Sequence, residues 1–376
     1  MIYLDNSATT ALDPEVLDAM MPWLQHGYGN ASSIYNLGRE SRVAIERARS
    51  EFAQLIGAHP AELIFTSGGT ESNNAILKSA AIDSRLVTSV YCSSTEHHAV
   101  LYPAESLRQQ GIYVEHLPVE PDGCVDIKSL RSNSFDGALV SVMHANNETG
   151  VIQPLHLIRT GIGSALLHTD AVQTLGKIPI DVCELPVDFM SFSAHKIHGP
   201  KGVGAMFIRK GIDFKAHQQG GGQERNRRAG TEPVALIIGM VAAVRLAVRN
   251  MQARSEHMRA CIDHARALIG ASIPDIRFNT PLTGSLPNIL NFSFLDAHRL
   301  DGESILQAMD MAGVAVSNGS ACVSGSLQPS HVLQAMGLPD AEARAAVRIS
   351  VSKDTTMKEI ETASALLSDI IRNMRV

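Results

Sequence analysis

Lys196 stands in Ser193-Ala194-His195-Lys196, after the apolar run Asp188–Phe192 and before the turn Gly199-Pro200-Lys201-Gly202. A lysine at the end of an apolar strand can be held rigidly enough to form an imine with an aldehyde. Asp170 ends an earlier apolar run, and Gln173 follows three residues later. A carboxylate one strand away can keep a pyridinium nitrogen protonated. An imine-forming amine and an acid for a ring nitrogen are what pyridoxal 5'-phosphate requires of a protein. Lys201 is a rival amine, but its glycine turn would hold it loosely. Asp170 alone would pass for a helix cap; the lysine downstream lifts it above that.

Other segments offer complementary chemistry. Gly68-Gly69-Thr70-Glu71 follows a strand-like run and opens a helical pattern over Ser72–Ala81. Small residues, a hydroxyl and free backbone N–H groups at a helix start suit a phosphate, although such turns are usually only structural. Thr95-Glu96-His97-His98 offers an imidazole that could stack on a planar ring and exchange protons, which makes His97 a catalytic candidate; either histidine alone reads as a solvated residue at a helix start. Asn146-Asn147-Glu148 closes another run, as a turn former or a donor to a ring or carboxylate oxygen. His195 and His198 have an HxxH look, but the adjoining glycine and proline argue against a zinc helix. Gly220 to Thr231 is a glycine- and arginine-rich loop, either a solvated connector or a donor to an anion across a subunit interface.

A second chemical group lies late in the chain. Ser317 to Ser326 is rich in small residues around one cysteine, Cys322. A thiol in such a loop has no apolar face to fill and suits nucleophilic transfer better than core packing. Arg348 sits within the apolar run Ala346–Ser352, where a cation is costly unless it meets an anion. A substrate carboxylate would satisfy it bidentately.

The elements that must position these groups follow from pattern. Strand-like runs occur at Glu62–Thr66, Leu86–Cys92, Ile112–Leu117, Ala138–His144, Ala165–Thr169, Asp188–Ser193 and Val203–Ile208, with amphipathic helices between several of them. One helix shows Ile45, Ala48, Phe52, Leu55 and Ile56 before stopping at Gly57. This alternation predicts an α/β architecture with a mainly parallel sheet covered on both faces, and ligands beyond the carboxyl ends of its strands. The last third differs. A helix runs from about Ser255 to Gly270, Asn288–Phe294 alternates as a half-buried strand, and a closing helix starts at a capping box from Thr356 to Glu359. The expected division is a large cofactor-binding domain over 15–254 and a small α+β domain of 1–14 and 255–376.

Composition bounds the rest. The 376 residues are 45% hydrophobic and 19% charged, enough for a large core. A net charge of −6 gives no broad attraction to nucleic acid. The longest uncharged apolar run, Pro233 to Val244, is too short for a membrane span, and the start lacks a signal-peptide pattern. The expectation is a cytoplasmic protein without membrane or direct nucleic-acid contact. Five scattered cysteines without a CxxC pair suggest neither a zinc site nor a disulfide framework.

Taken together, the motifs resemble the cysteine desulfurases of the nitrogen-fixation and iron–sulfur-cluster assembly type, within the class V aminotransferases. The resemblance runs from Leu4-Asp5-Asn6-Ser7-Ala8-Thr9-Thr10 and Gly29-Asn30-Ala31-Ser32-Ser33 through the segments above to Gly319-Ser320-Ala321-Cys322-Val323-Ser324-Gly325-Ser326-Leu327. It implies a three-layer fold-type I large domain and pyridoxal 5'-phosphate as cofactor. Lys196 would carry the cofactor, Asp170 hold its ring nitrogen, Gln173 its ring oxygen, and His97 stack on the ring. Gly69, Thr70, Ser193 and His195 would form the phosphate site, with Thr231 reaching in from the second subunit of a homodimer. Asn147 and Arg348 would hold the carboxylate of L-cysteine, and Cys322 would accept the sulfur. The implied partners are an iron–sulfur scaffold or another sulfur-acceptor protein, including one for transfer-RNA thiolation; with a scaffold, Cys322 could be a transient cluster ligand, the protein having no metal of its own. Ala31, Ala194 and Asn318 replace the usual proline, glycine and serine. Relatives often carry a longer tail that docks the scaffold, whereas this sequence ends at Val376, leaving the docking mode open. A selenocysteine lyase or an aminotransferase on the same fold is the alternative, and a non-catalytic sulfur-carrier scaffold a more distant one.

Overall fold

The computed structural model describes residues 1–132, 134–318 and 328–375. Its centre is a seven-stranded sheet ordered Leu63–Thr66, Gly204–Ile208, Phe189–Ser193, Leu166–Asp170, Ala138–Ser141, Ser89–Ser93 and Tyr113–Leu117. Gly204–Ile208 runs antiparallel to both neighbours and the other pairings are parallel. All seven predicted strands are therefore present, in a mainly parallel mixed sheet.

Strand periodicity explains the layers. Side chains alternate between faces, and here both faces are covered. Leu63, Phe65, Val140, Leu167, Met190, Phe192 and Phe207 join one apolar cluster, which also contains Ile45, Phe52 and Val241 from helices. Their neighbours Ile64, Leu139, Phe189, Met206 and Ile208 join another, with Ile76, Val100 and Leu107. Each fully buried side chain of this size contributes about 1.5–3 kcal/mol relative to exposure. The apolar helix Val234–Arg249 is mostly buried in the first cluster. Among the described residues, no single helix is long and apolar enough to cross a membrane.

A separate cluster centres on Phe292, Phe294, Val347, Ile349, Cys261 and Leu367. It packs a three-stranded antiparallel sheet, ordered Val347–Ser350, Ile289–Phe294 and Ile276–Phe278, against helices Met251–Ser272, Gly302–Met311 and Met357–Arg375. Leu4 belongs to this cluster, and Ile2–Tyr3 pairs in parallel with Val314–Ala315.

One expectation here is corrected. The strand Ile289–Phe294 is buried on both faces, not half-buried. Asn279 Nδ2 donates to Asn291 Oδ1 and Ser293 Oγ, both at 2.7 Å, so the polar side is covered through hydrogen bonds. Two helix bounds also move: the first glycine-rich turn feeds a helix that already starts at Gly69, and the helix expected from Ser255 starts at Met251.

Candidate active site

Six of the central strands bring their ends to one edge, because the antiparallel strand enters at Gly204 where its neighbours Thr66 and Ser193 leave. That edge carries a cavity of about 400 Å³ lined by Gly69, Thr70, His97, Asn147, Asp170, Gln173, Ser193, His195, Lys196 and Arg348. Eleven of the twelve residues singled out from sequence thus fall into two classes: these ten at one wall, and Thr231, exposed and lining neither this cavity nor the groove beside it. The twelfth, Cys322, lies outside the described residues.

Lys196 lies in a single turn, Ala194–Lys196, directly after the strand Phe189–Ser193. Its Nζ donates to the carbonyls of Ser7 and Ala8, at 2.5 and 2.6 Å. The N-terminal segment therefore clamps the Lys196 amine. Asp170 is buried at the end of its strand. Its Oδ2 accepts from Asn73 Nδ2 at 2.6 Å and its Oδ1 from the backbone N–H of Val172 at 2.9 Å. The capping and the functional accounts of Asp170 are compatible, since each carboxylate oxygen retains a further lone pair.

His97 caps the helix His98–Arg108, its Nδ1 accepting from the N–H of Ala99 at 3.0 Å. The ring stays open to the cavity, yet the surrounding protein disfavours its charge and pushes its pKa down; Asp170 opposes this and Lys196 and His331 add to it. His195 is pushed down to about 4 by burial and then by Lys196, Lys201 and Lys177, and its Nδ1 meets Thr9 Oγ1 at 3.1 Å. Both imidazoles are neutral at pH 7.

Beside the cavity lies an open groove lined by Gly68, Gly69, Thr70, Ser193, His195 and Lys201. It opens onto the first turn of the helix Gly69–Lys78, whose N–H groups and dipole favour an anion. A Cβ on Gly69 would lie 2.5 Å from Val172 Cγ2, so only glycine lets the helix start approach the Asp170 turn this closely. Lys201, the rival amine, is exposed at this groove.

Arg348 meets an anion within its own chain: Nη2 donates to Asp5 Oδ1 at 2.6 Å and Nη1 to the carbonyl of Asn147 at 3.0 Å. The anion that this buried cation requires is thus supplied in part by Asp5, a residue far away in the sequence. The glycine- and arginine-rich loop is tied to the body of its own chain. Arg225 pairs with Glu46, Arg228 with Glu71, and Arg227 donates to the carbonyl of Ala61, so these arginines serve their own chain.

Sequence reasoning assigned no role to Asn73, Ser7, Asp5 or His331, all close to this chemistry. Asn73 had a signal: it lies one helical turn after Gly69, on the same face. His331 lines the cavity and bonds the carbonyl of Glu96 at 2.9 Å, while Ser330 beside it donates to buried Glu148 at 2.5 Å.

The wall fits pyridoxal 5'-phosphate. Gln173 and Ser7 line the cavity, and Gln173 Oε1 and Ser7 Oγ are buried without a hydrogen-bond partner among the described residues. Such atoms cost stability until a polar ligand meets them. An amine, a carboxylate, a neutral imidazole and a helix-start groove surround them in the arrangement a phosphorylated pyridine aldehyde needs.

Comparison with known proteins decides the family. The family described as "Aminotransferase class-V" matches residues 2–362. A protein named cysteine desulfurase IscS from Dictyoglomus turgidum is 45% identical over 378 aligned positions, covering all of this chain and 95% of that protein. A cysteine desulfurase from a Nostoc species is 39% identical, covering all of this chain and 94% of that protein. The chain belongs to the class-V aminotransferases, in their cysteine desulfurase branch. Among solved structures, a NifS-like protein superposes with a TM-score of 0.90 at 36% identity, covering 99% of both chains. A structure described as SspA in complex with cysteine gives 0.81 at 31%, covering 95% of this chain and all of that one. The enzyme thus has the α/β architecture of fold-type I aminotransferases.

Proposed function

We propose that this enzyme takes the sulfur of L-cysteine, releases L-alanine and keeps the sulfur as a persulfide on Cys322. In this reading it works in the cytoplasm as a homodimer and passes the sulfur to an acceptor protein for iron–sulfur assembly or transfer-RNA thiolation. The observation that carries the reading is the shared wall of Lys196, Asp170, His97, Asn147 and Arg348 in a chain of this family. Thr231, exposed and absent from the cavity of its own chain, supports a second subunit whose site it completes.

Bound in the cavity, pyridoxal 5'-phosphate supplies an electron sink that acidifies the α-hydrogen of an attached amino acid. Thr70, Ser193, His195 and the N–H groups at Gly69 would hold its phosphate. Asp170, fixed by Asn73 and Val172, would hold the proton at the ring nitrogen, and Gln173 would meet the ring oxygen. Arg348 exchanges part of its contact with Asp5 for the substrate carboxylate, with Asn147 beside it. Lys196 Nζ, steered by the Ser7 and Ala8 carbonyls, takes the α-proton and returns a proton to the substrate. Neutral His97 would cover the ring face without adding charge. The Cys322 thiolate then attacks the substrate sulfur; the substrate C–S bond breaks and an S–S bond forms. L-cysteine and one thiol become L-alanine and one persulfide, so atoms and electrons balance. Ser317, paired with Arg348 through backbone hydrogen bonds, and His331 on the cavity wall flank the segment carrying Cys322.

The test measures alanine and sulfide from L-cysteine, with selenocysteine and a keto acid as competing substrates. Lys196→Ala should lose the yellow cofactor absorbance and all activity. Cys322→Ala should keep the absorbance and lose sulfur release. Sulfide formation that persists in Cys322→Ala removes that residue from the reaction. Turnover of selenocysteine alone, or amino transfer without sulfide, replaces the reading by a lyase or an aminotransferase.

A further inference from the structure

Behind Lys196, on the side away from the cofactor cavity, lies a second cavity of about 30 Å³. Its wall joins Lys177, Lys196 and His198, on the side of the large sheet, to Arg254, Asn288 and Lys353, which lie with the smaller sheet. Such a volume admits one or two particles of water size.

Three observations bear on what belongs there. Asn288 is fully buried, and both its amide oxygen and its amide nitrogen lack a hydrogen-bond partner among the described residues. Lys177 is buried; its Nζ donates to the carbonyl of Gln173 at 2.8 Å and, at 3.5 Å, to that of Lys196. An ammonium has three N–H bonds, so one donor remains. Finally, the charges do not balance. Lys177, Lys196, Arg254 and Lys353 line the wall, and the carboxylates nearby are Asp13 and Asp354, which pair with Lys353 at 3.3 and 2.9 Å. His198 donates through Nδ1 to the carbonyl of Ala11, and burial holds it neutral. Arg249 and Glu15 lie farther out and act on Arg254 with opposite signs. Cations therefore outnumber carboxylates around a cavity the size of one ion.

We propose that this cavity binds one small monovalent anion of the halide class, held by Lys177 Nζ and the Asn288 amide nitrogen. The anion supplies the missing counter-charge, satisfies a buried donor, and ties the two cores together directly behind the reacting lysine. Water would satisfy Asn288 but leave the charge unbalanced. A polyatomic divalent anion is too large for a cavity of about 30 Å³. The site is separate from the cofactor cavity and stands whether or not the reading of the reaction holds.

The test uses the holoenzyme, so that the cofactor phosphate site is filled. Crystals grown without chloride are soaked in sodium bromide and measured at the bromine absorption edge. The expected result is an anomalous peak between Lys177 and Asn288, lost in Asn288→Leu. A water without anomalous signal there, or bromide only on the surface, overturns the proposal. In solution, chloride replacing gluconate at constant ionic strength should raise the Tm of the wild type saturably. The chloride concentration for half the effect should rise at least ten-fold in Asn288→Leu or, should that variant not fold, in Lys177→Met. An unchanged chloride response in the variant overturns the proposal equally.

Discussion

Arg49 and Glu224 are as deeply buried as Ser7 and Gln173, but the two groups are finished differently. Arg49 donates to Glu224 through both terminal nitrogens, at 2.7 and 2.8 Å, and also to the carbonyl of Leu63 and to Glu46. Glu224 additionally accepts the N–H of Phe65 at 2.9 Å. Nothing polar is left over. At the cavity wall, Ser7 Oγ, Gln173 Oε1 and Asn73 Oδ1 have no partner among the described residues. A closed constellation fixes the chain, and here it pins Glu224, Arg225 and Asn226 in left-handed backbone conformations that non-glycine residues rarely adopt. An open constellation is completed by something else. The contrast separates buried polar groups that serve the fold from those that serve a ligand.

The largest expected effect comes from opening the closed group. Arg49→Met leaves Glu224 as an unpaired buried charge and should cost about 3–5 kcal/mol in urea unfolding. Removing both charges with Arg49→Met and Glu224→Met together should recover much of that loss. A single variant as stable as the wild type would mean that the pair is not buried in solution and that the contrast fails.

Completing the open group should act in the other direction. Pyridoxal 5'-phosphate added to apo protein should stabilise it by about 2.7 kcal/mol when the free cofactor reaches 100 times its Kd. Arg49→Met, starting lower, should gain the same increment, because the two groups are independent. Calorimetry of apo and holo forms of both proteins decides it. No difference between apo and holo wild type would remove the cofactor from this wall.

How far each group could be read from sequence follows the same division. The seven central strands were legible because they are covered on both faces and therefore appear as continuous apolar runs. Lys196, Asp170 and Gly69 were legible because strand ends and helix starts lie beside them in the chain. Partners far away in sequence were not. Asp5 pairs with Arg348, and Arg228 with Glu71, across most of the chain or much of it, and nothing local announces either. The strand Ile289–Phe294 read as half-buried because Asn291 and Ser293 are polar, while the residue that pays for their burial, Asn279, lies outside that strand. Alternation of polarity reports which face is polar; whether that face is dry depends on a partner that periodicity does not contain.

Lys177 stands between the two kinds, with two carbonyl partners and a charge left to balance. Burial, and then the charge of Lys196, depress it to about 7. The native chain then releases this proton near pH 7, whereas the unfolded chain keeps it to about 10.4. In that window the unfolded state binds more protons, so stability rises with pH. Without chloride, the wild type should gain roughly 2 kcal/mol relative to Lys177→Met between pH 7 and 8.5. Parallel unfolding curves for the two proteins across that range would show Lys177 to be as solvated as an ordinary lysine.

The smallest effect belongs to polar groups that are paired but exposed. Thr356 Oγ1 accepts the N–H of Glu359 at 3.2 Å, and Glu359 Oε2 accepts the N–H of Thr356 at 2.7 Å, closing the box at the start of the last helix. Each bond is as well formed as those of Arg49. Water, however, can replace either partner, so Thr356→Ala should cost only about 1 kcal/mol. A loss equal to that of Arg49→Met would show that pairing, not burial, sets the scale, and would undo the distinction between closed and open groups.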